Sequence, residues 1–181
     1  YNEEVKIAKV LGKDFYPELE KSDVQIYDAL DYRHWDTWNE GKHNHVFYKE
    51  NAAAKEGTDI MKDEPFDSPQ KPFGGDEDYI WSPDGNKIIY VSKKKVGTAY
   101  AVSTNTDLYE YNLVSKKTKN LTEENLGYDT APQFSPDGNL TWLQMKRDGY
   151  EADKNDIIVS FKGMKINLTA NWDGTVDSFS W

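Results

Sequence analysis

Apolar positions in this chain come in short bursts, each closed off by Gly, Pro, Asn or Asp. The clearest burst is Ile88-Ile89-Tyr90-Val91, inside residues 87–92. It is apolar at odd and even positions alike, the pattern of a short strand covered on both faces. The same reading predicts strands at residues 108–113, 130–134, 140–145, 156–161 and 165–168, with an inner strand ending at Trp81. A short edge strand is expected at 119–121, after a turn at 116–118. Upstream, residues 25–35 and 45–48 read as the middle strands of an earlier sheet, with an edge strand at 59–62. Residues 64–75, with Pro65, Pro69, Pro72 and the pair Gly74-Gly75, read as a surface connection. Residues 1–20 show no clear period and are expected to form an arm or an incomplete strand.

The strands fall into a repeat. Ser82-Pro83-Asp84-Gly85 returns as Ser135-Pro136-Asp137-Gly138, each copy preceded by an aromatic, Trp81 or Phe134. Pro presets its own φ, Asp bonds the local backbone and Gly takes a positive φ, so the motif predicts a tight strand-to-strand turn. A second mark, Asn120-Leu121-Thr122, returns as Asn167-Leu168-Thr169 with the same order and a similar spacing. A third aromatic, Trp181, follows Phe134 at the spacing of the Asn-Leu-Thr pair. Repeats of this length with four strands each are the signature of β-propeller blades. The expected fold is all-β, a partial propeller of four-stranded antiparallel blades, about three blades of a larger ring. Its units are an arm over 1–20, a first partial blade and connection over 21–75, and blades over 76–122 and 123–170. Residues 171–181 open the next. Propellers close with roughly four to eight blades, so the chain is read as a fragment or as one part of an assembly, a homo-oligomer included.

Composition narrows the choice of partner. Hydrophobic residues are 37% of the chain but aromatics are 14%, so large rings must supply much of the buried area. The formal net charge of −10 repels phosphate backbones and anionic lipid, which argues against nucleic-acid binding and membrane insertion. There is no cysteine, so disulfides, thiolate metal sites and a Cys nucleophile are excluded. No stretch has the ~20 apolar residues of a membrane helix. No signal-peptide pattern opens the sequence, and the start at Tyr1 is read as a mature or trimmed end.

Three segments resemble one family. The stretch 16–47, with its block Tyr32-Arg33-His34-Trp35-Asp36, is similar to an early propeller segment of the bacterial dipeptidyl-peptidase-like and acylaminoacyl-peptidase-like branch of the prolyl oligopeptidase family. Residues 100–113, with Ala101-Val102-Ser103-Thr104-Asn105, resemble a blade hairpin of that group, and residues 135–159 the following blade. The resemblance implies a propeller that caps a separate α/β-hydrolase domain, gating and positioning oligopeptides for a serine exopeptidase. It implies a periplasmic or secreted home, while the Cys-free composition suits the cytoplasm equally. The chain contains no Gly-x-Ser-x-Gly nucleophile elbow, so no catalytic residue is assigned. The hydrolase domain is expected downstream, and no cofactor is expected.

Candidate chemistry is thin. Arg33, His34 and Trp35, with Asp36 and Trp38, form the densest cluster and are candidates for holding a peptide terminus. On a continuous strand Arg33, Trp35 and Thr37 would share one face and His34, Asp36 and Trp38 the other. The preferred reading is structural: a Trp buried between sheets and an Arg33–Asp36 pair. Glu77, Thr130 and Asp177 each stand four positions before an inner-strand aromatic and are candidates for facing a central channel. His43 and His45, with Asp36 or Glu40, have weak metal-site spacing, and a solvated turn over 39–42 is preferred. The oxygen-rich run 148–156 lacks calcium-loop spacing and is expected to be a hairpin with Arg147 paired to Asp153. The Asn-Leu-Thr triplets at Asn120, Asn139 and Asn167 read as strand-edge chemistry rather than as sugar acceptors. Two rival functions are a non-enzymatic binding propeller and a metal-dependent propeller lyase. A nucleophile elbow downstream of residue 181 would separate the peptidase from the binding propeller. Convergence of His and carboxylates from several sheets would favour the lyase.

Overall fold

The computed structural model describes Tyr27, Leu30, residues 32–39 and residues 41–181. The predicted arm over 1–20, and residues 25, 26, 28, 29 and 31 of the strand expected at 25–35, lie outside them. Among the described residues twelve short strands are seen: β1 (Arg33–His34), β2 (Thr37–Trp38), β3 (Phe47–Tyr48), β4 (Thr58–Asp59), β5 (Tyr79–Trp81), β6 (Lys87–Ser92), β7 (Asp107–Asn112), β8 (Lys117–Asn120), β9 (Asp129–Phe134), β10 (Leu140–Gln144), β11 (Asp156–Phe161) and β12 (Met164–Asn167). Among the described residues a helix of a single turn, α1 (Thr98–Val102), precedes β7, and a 3-10 turn (Asp76–Asp78) precedes β5. Strands β5 to β8 form one four-stranded antiparallel sheet in chain order, and β9 to β12 form another. β1 pairs with β2 and β3 with β4. The protein is mostly β, and among the described residues the sheets do not close into a ring. No described helix is long and apolar enough to cross a membrane.

The sheets stack through β6, whose all-apolar pattern has the expected cause. Ile88 and Tyr90, with Tyr109 and Tyr111 of β7, pack against Val46, Tyr48, Ile60 and Met61 around β3 and β4. Ile89 and Val91, with Leu108, pack the other way onto Trp142 and Ile158 of the second four-stranded sheet. Successive side chains of the strand thus enter opposite interfaces. The repeated turn behaves as its residues dictate. Gly85 and Gly138 have φ of 68° and 79°, the left-handed region. The Ser82 and Ser135 hydroxyls accept the N–H of Lys87 and Asn139 at 2.9 and 3.0 Å. The two turns differ by one residue: Ser82 N–H reaches the Lys87 carbonyl, but Ser135 N–H reaches that of Asn139.

The Asn-Leu-Thr mark at residues 120–122 and 167–169 is a lock, and residues 59–61 form a third copy of it. Leu121 N–H donates to the Leu108 carbonyl, Leu168 N–H to that of Ile157, and Ile60 N–H to that of Val46. In each copy the residue before accepts the N–H two positions on, Asn120 from Thr122, Asn167 from Thr169 and Asp59 from Met61, at 2.8 to 2.9 Å. The eighth residue further on then ties back two positions before the carbonyl that the lock engages. Asp129 N–H donates to Thr106 O, Val176 N–H to Asn155 O, and Ser68 N–H to Asn44 O. In the two later copies the Thr hydroxyl also caps the third strand, Thr122 accepting Leu108 N–H and Thr169 accepting Ile157 N–H. The side chains of Asn120 and Asn167 are spent on these bonds, as the edge reading expects, whereas Asn139 stands in the turn before β10 and takes no part in a lock.

Three expectations are corrected. The hairpin turn is at Trp35-Asp36 and not at residues 39–42, where Asn39 is half-buried and Gly41 buried. Residues 64–75 are not wholly a surface connection, because Asp67 and Ser68 are buried and carry inter-sheet bonds. Strand β8 begins at Lys117, the turn being at residues 113–116. Both outer strands are lined with Lys, at Lys117 and Lys119 on β8 and Lys165 on β12, which suits exposed sheet edges.

Candidate functional site

The Arg33-His34-Trp35 cluster is a hairpin tip. Arg33 pairs with Trp38 and His34 with Thr37, leaving Trp35 and Asp36 as a two-residue turn. The predicted face-sharing of Arg33, Trp35 and Thr37 therefore fails, because the strand reverses between them. Such a turn favours Gly or Asn, since it demands positive φ. Trp35 has φ 49° and is 80% exposed. The preferred structural reading, a buried Trp and an Arg33–Asp36 pair, is also overturned: the Arg33 guanidinium lies over the Trp38 ring, 5.5 Å from its centroid. Tyr27, Tyr32 and Trp38 meet at centroid distances of 5.7 to 6.2 Å, which fixes the base of the hairpin.

A second segment meets this tip. The His34 ring stacks on Trp35 at 5.4 Å and meets Phe73 edge-on at 5.6 Å. Phe73 stands in the Pro/Gly-rich stretch, which is an insertion. The inner-strand aromatic Phe134 stands five positions after the lock residue Asp129, but Trp81 stands thirteen after Ser68. Two carboxylates hold the insertion at its ends. Asp67 accepts from His43 Nδ1 at 3.1 Å, Asn44 N–H at 2.7 Å and Lys71 Nζ at 3.0 Å. Burial alone would raise its carboxyl, but these donors outweigh it and hold it below the usual range. Asp78 accepts Gln70 N–H at 2.8 Å, and burial, with the neighbouring Glu77 charge, pushes its carboxyl up to about 6. Gly74 is required here, because a Cβ would run into the Asp78 carboxylate and the Gln70 backbone.

Of the channel candidates, Glu77 lies in the 3-10 turn that packs against β9, the strand of Thr130. Glu77 is exposed in the 3-10 turn, Thr130 is half-buried on β9 opposite Leu143, and Asp177 is exposed after Val176. The buried acid is the neighbour of Thr130. Asp129 accepts from Trp142 Nε1 and Gln144 Nε2 at 2.7 Å and from Asn125 Nδ2 at 3.0 Å. Burial pushes its carboxyl up to about 6 against those donors. His43 and His45 serve separate carboxylates, Asp67 and Asp59, and His45 Nε2 also meets the Glu64 carbonyl at 3.0 Å. The run 148–156 is the expected turn, with Arg147 paired to Asp153 at 2.9 Å and Asp148 accepting from Ser103 and Thr104. Sequence reasoning missed Phe73, Asp67, Asp78 and Asp129. A large aromatic between Pro72 and Gly74 was the available signal for Phe73.

The described residues thus form a mostly β chain with two four-stranded antiparallel sheets, and the sequence holds no Gly-x-Ser-x-Gly pattern. Dipeptidyl-peptidase 5 of Porphyromonas gingivalis is 42% identical over 185 residues, covering all of this chain and 27% of that protein. Dipeptidyl-peptidase 5 of Porphyromonas endodontalis is 42% identical over 155 residues, covering 84% and 22%. That of Schizosaccharomyces pombe is 33% identical over 175 residues, covering 88% and 25%. The chain is homologous over its whole length to dipeptidyl-peptidase 5, of the prolyl oligopeptidase family, and spans about a quarter of the length of these relatives. No protein-family model matches it. The resemblance read from residues 16–47, 100–113 and 135–159 is thereby borne out at the level of family.

Proposed function

We propose that this chain supplies consecutive β-propeller blades to a dipeptidyl-peptidase 5-type serine exopeptidase, in which it gates and positions oligopeptides for a separate α/β-hydrolase domain. One series of equivalent residues carries the reading. Ile60, Leu121 and Leu168 hold the same place in the three locks. Ile60 is 6% exposed under the next sheet, and Leu121 packs on the sheet after its own. Leu168 is 51% exposed, with Ile166 beside it on β12 also exposed. A repeat that twice covers this position leaves its third copy apolar and open, as expected of a blade that awaits its successor. The blades run over 21–75, 76–122 and 123–170, and 171–181 begins another. The chain supplies walls and entry, while the Ser–His–Asp chemistry belongs to the remainder of the enzyme. The lyase reading gains nothing, since His43 and His45 both lie on the first sheet's side and bond different acids.

Leu121→Lys and Leu168→Lys test the reading, each made in the 181-residue chain and in the longer polypeptide that contains it. In the chain alone Leu121→Lys costs about 2–3 kcal/mol by urea denaturation and Leu168→Lys less than about 0.5. In the longer protein the two become equal. A cheap Leu168→Lys in both contexts refutes a following blade. Hydrolysis of a dipeptidyl reporter by the 181-residue chain refutes the division of labour.

A further inference from the structure

The tip of the β1–β2 hairpin makes two costly choices at once. A left-handed backbone is penalised for any residue with a Cβ, more so for a bulky ring. An indole left 80% exposed forgoes the burial that makes aromatics valuable. Trp35 does both at a turn position that Gly or Asn fills without penalty. The insertion that meets it is similar. Absent from the equivalent stretch before Phe134, it is pinned at both ends by buried Asp67 and Asp78, and its tip presents Phe73 at 76% exposure. Insertions in repeat architectures collect on the binding face. Two segments some forty residues apart thus build one open aromatic surface, with the His34 ring between Trp35 and Phe73. A cation stands at its edge in a chain of net −10: Arg33 is exposed, lies over Trp38, and has no carboxylate partner among the described residues, the exposed Asp36 of the turn included.

We propose that Trp35, His34 and Phe73, with Arg33 at their edge, bind the carboxyl-terminal end of an oligopeptide. An apolar or proline side chain lies on the rings and the terminal carboxylate on the guanidinium. The ring faces suit flat apolar side chains, and a planar guanidinium held over an indole keeps its outward N–H edge for two carboxylate oxygens. This deepens the peptide-handling reading and rests on it, yet the two fail separately. The platform is tested by binding to the 181-residue chain, the peptidase reading by reporter hydrolysis in the longer polypeptide.

The experiment titrates the 181-residue chain with the tetrapeptide Ala-Phe-Pro-Phe, free acid and carboxyl-terminal amide, by backbone NMR shifts, with maltohexaose as a competing chemistry. The free acid is expected to bind about five-fold more tightly than the amide, the size of one exposed charge-assisted contact. Its shifts centre on residues 33–38 and 71–75. Arg33→Gln removes the difference between acid and amide. Trp35→Ala and Phe73→Ala, two variants on separate segments, each weaken both peptides about five-fold or more. Equal affinity for acid and amide overturns the proposal. So does the absence of saturation below about 10 mM, a response to maltohexaose on the same residues, or unchanged binding in both ring variants.

Discussion

Asp129 offers a measurement in which two physical effects point in opposite directions. Its carboxylate is fully buried between the two four-stranded sheets, which disfavours charge, yet it accepts three hydrogen bonds, which favour it. Burial wins and the group titrates at about 6 in the folded protein, against 3.8 in the unfolded chain. Above pH 6 both states are ionised and below 3.8 both are protonated. Between these limits only the folded state holds the proton. Stability contributed by that proton is therefore complete below pH 3.8 and is lost as pH rises to about 6. The loss is about 1.4 kcal/mol per pH unit, or about 3 kcal/mol across the window. Asp78, also buried and raised to about 6, contributes a parallel loss. Asp129→Asn removes one of the two titrations and roughly halves the slope attributable to the pair, and Asp78→Asn removes the other. Urea denaturation at pH steps from 4 to 7 reads the slopes, at low protein concentration because the pI of about 4.8 lies inside the window. Curves for Asp129→Asn and the parent that run parallel refute a raised carboxyl. A steeper loss in the variant means that the donors prevail and the sign is reversed.

The packing sets three further outcomes. Thr122→Val keeps side-chain shape but leaves the fully buried Leu108 N–H without its 3.0 Å acceptor, a cost of about 1–3 kcal/mol by urea denaturation. Trp142→Ala opens the interface between the four-stranded sheets and strips Asp129 of a donor, and is expected to cost about 3–5 kcal/mol. Gly74→Ala forces the insertion away from Asp78. Its signature is loss of the nuclear Overhauser contacts between His34 and Phe73, with the β5–β8 sheet amides unshifted.

The turns and the strands they join were legible because their chemistry is local. Ser-Pro-Asp-Gly specifies its own backbone, so β6 and β11 lie where the pattern predicts, and β9, β10 and β12 within a residue or so. The first lock was legible only in part. Asp59-Ile60-Met61 shares no residue with Asn-Leu-Thr, yet an acceptor followed by an apolar residue performs the same bonding. Helix α1 carries too few residues to show a period.

What the sequence determined alone is the set of short strands, their turns, the two-sided apolar demand on β6 and homology to dipeptidyl-peptidase 5, since each is written in the order of the residues. Tertiary structure decided which distant groups meet. Phe73 reached His34, Asp129 was sealed under Trp142, and Trp35 was turned outward. Burial and positive φ at these places follow from how sheets stack and where an insertion is tied down, and those distances have no counterpart in local residue order.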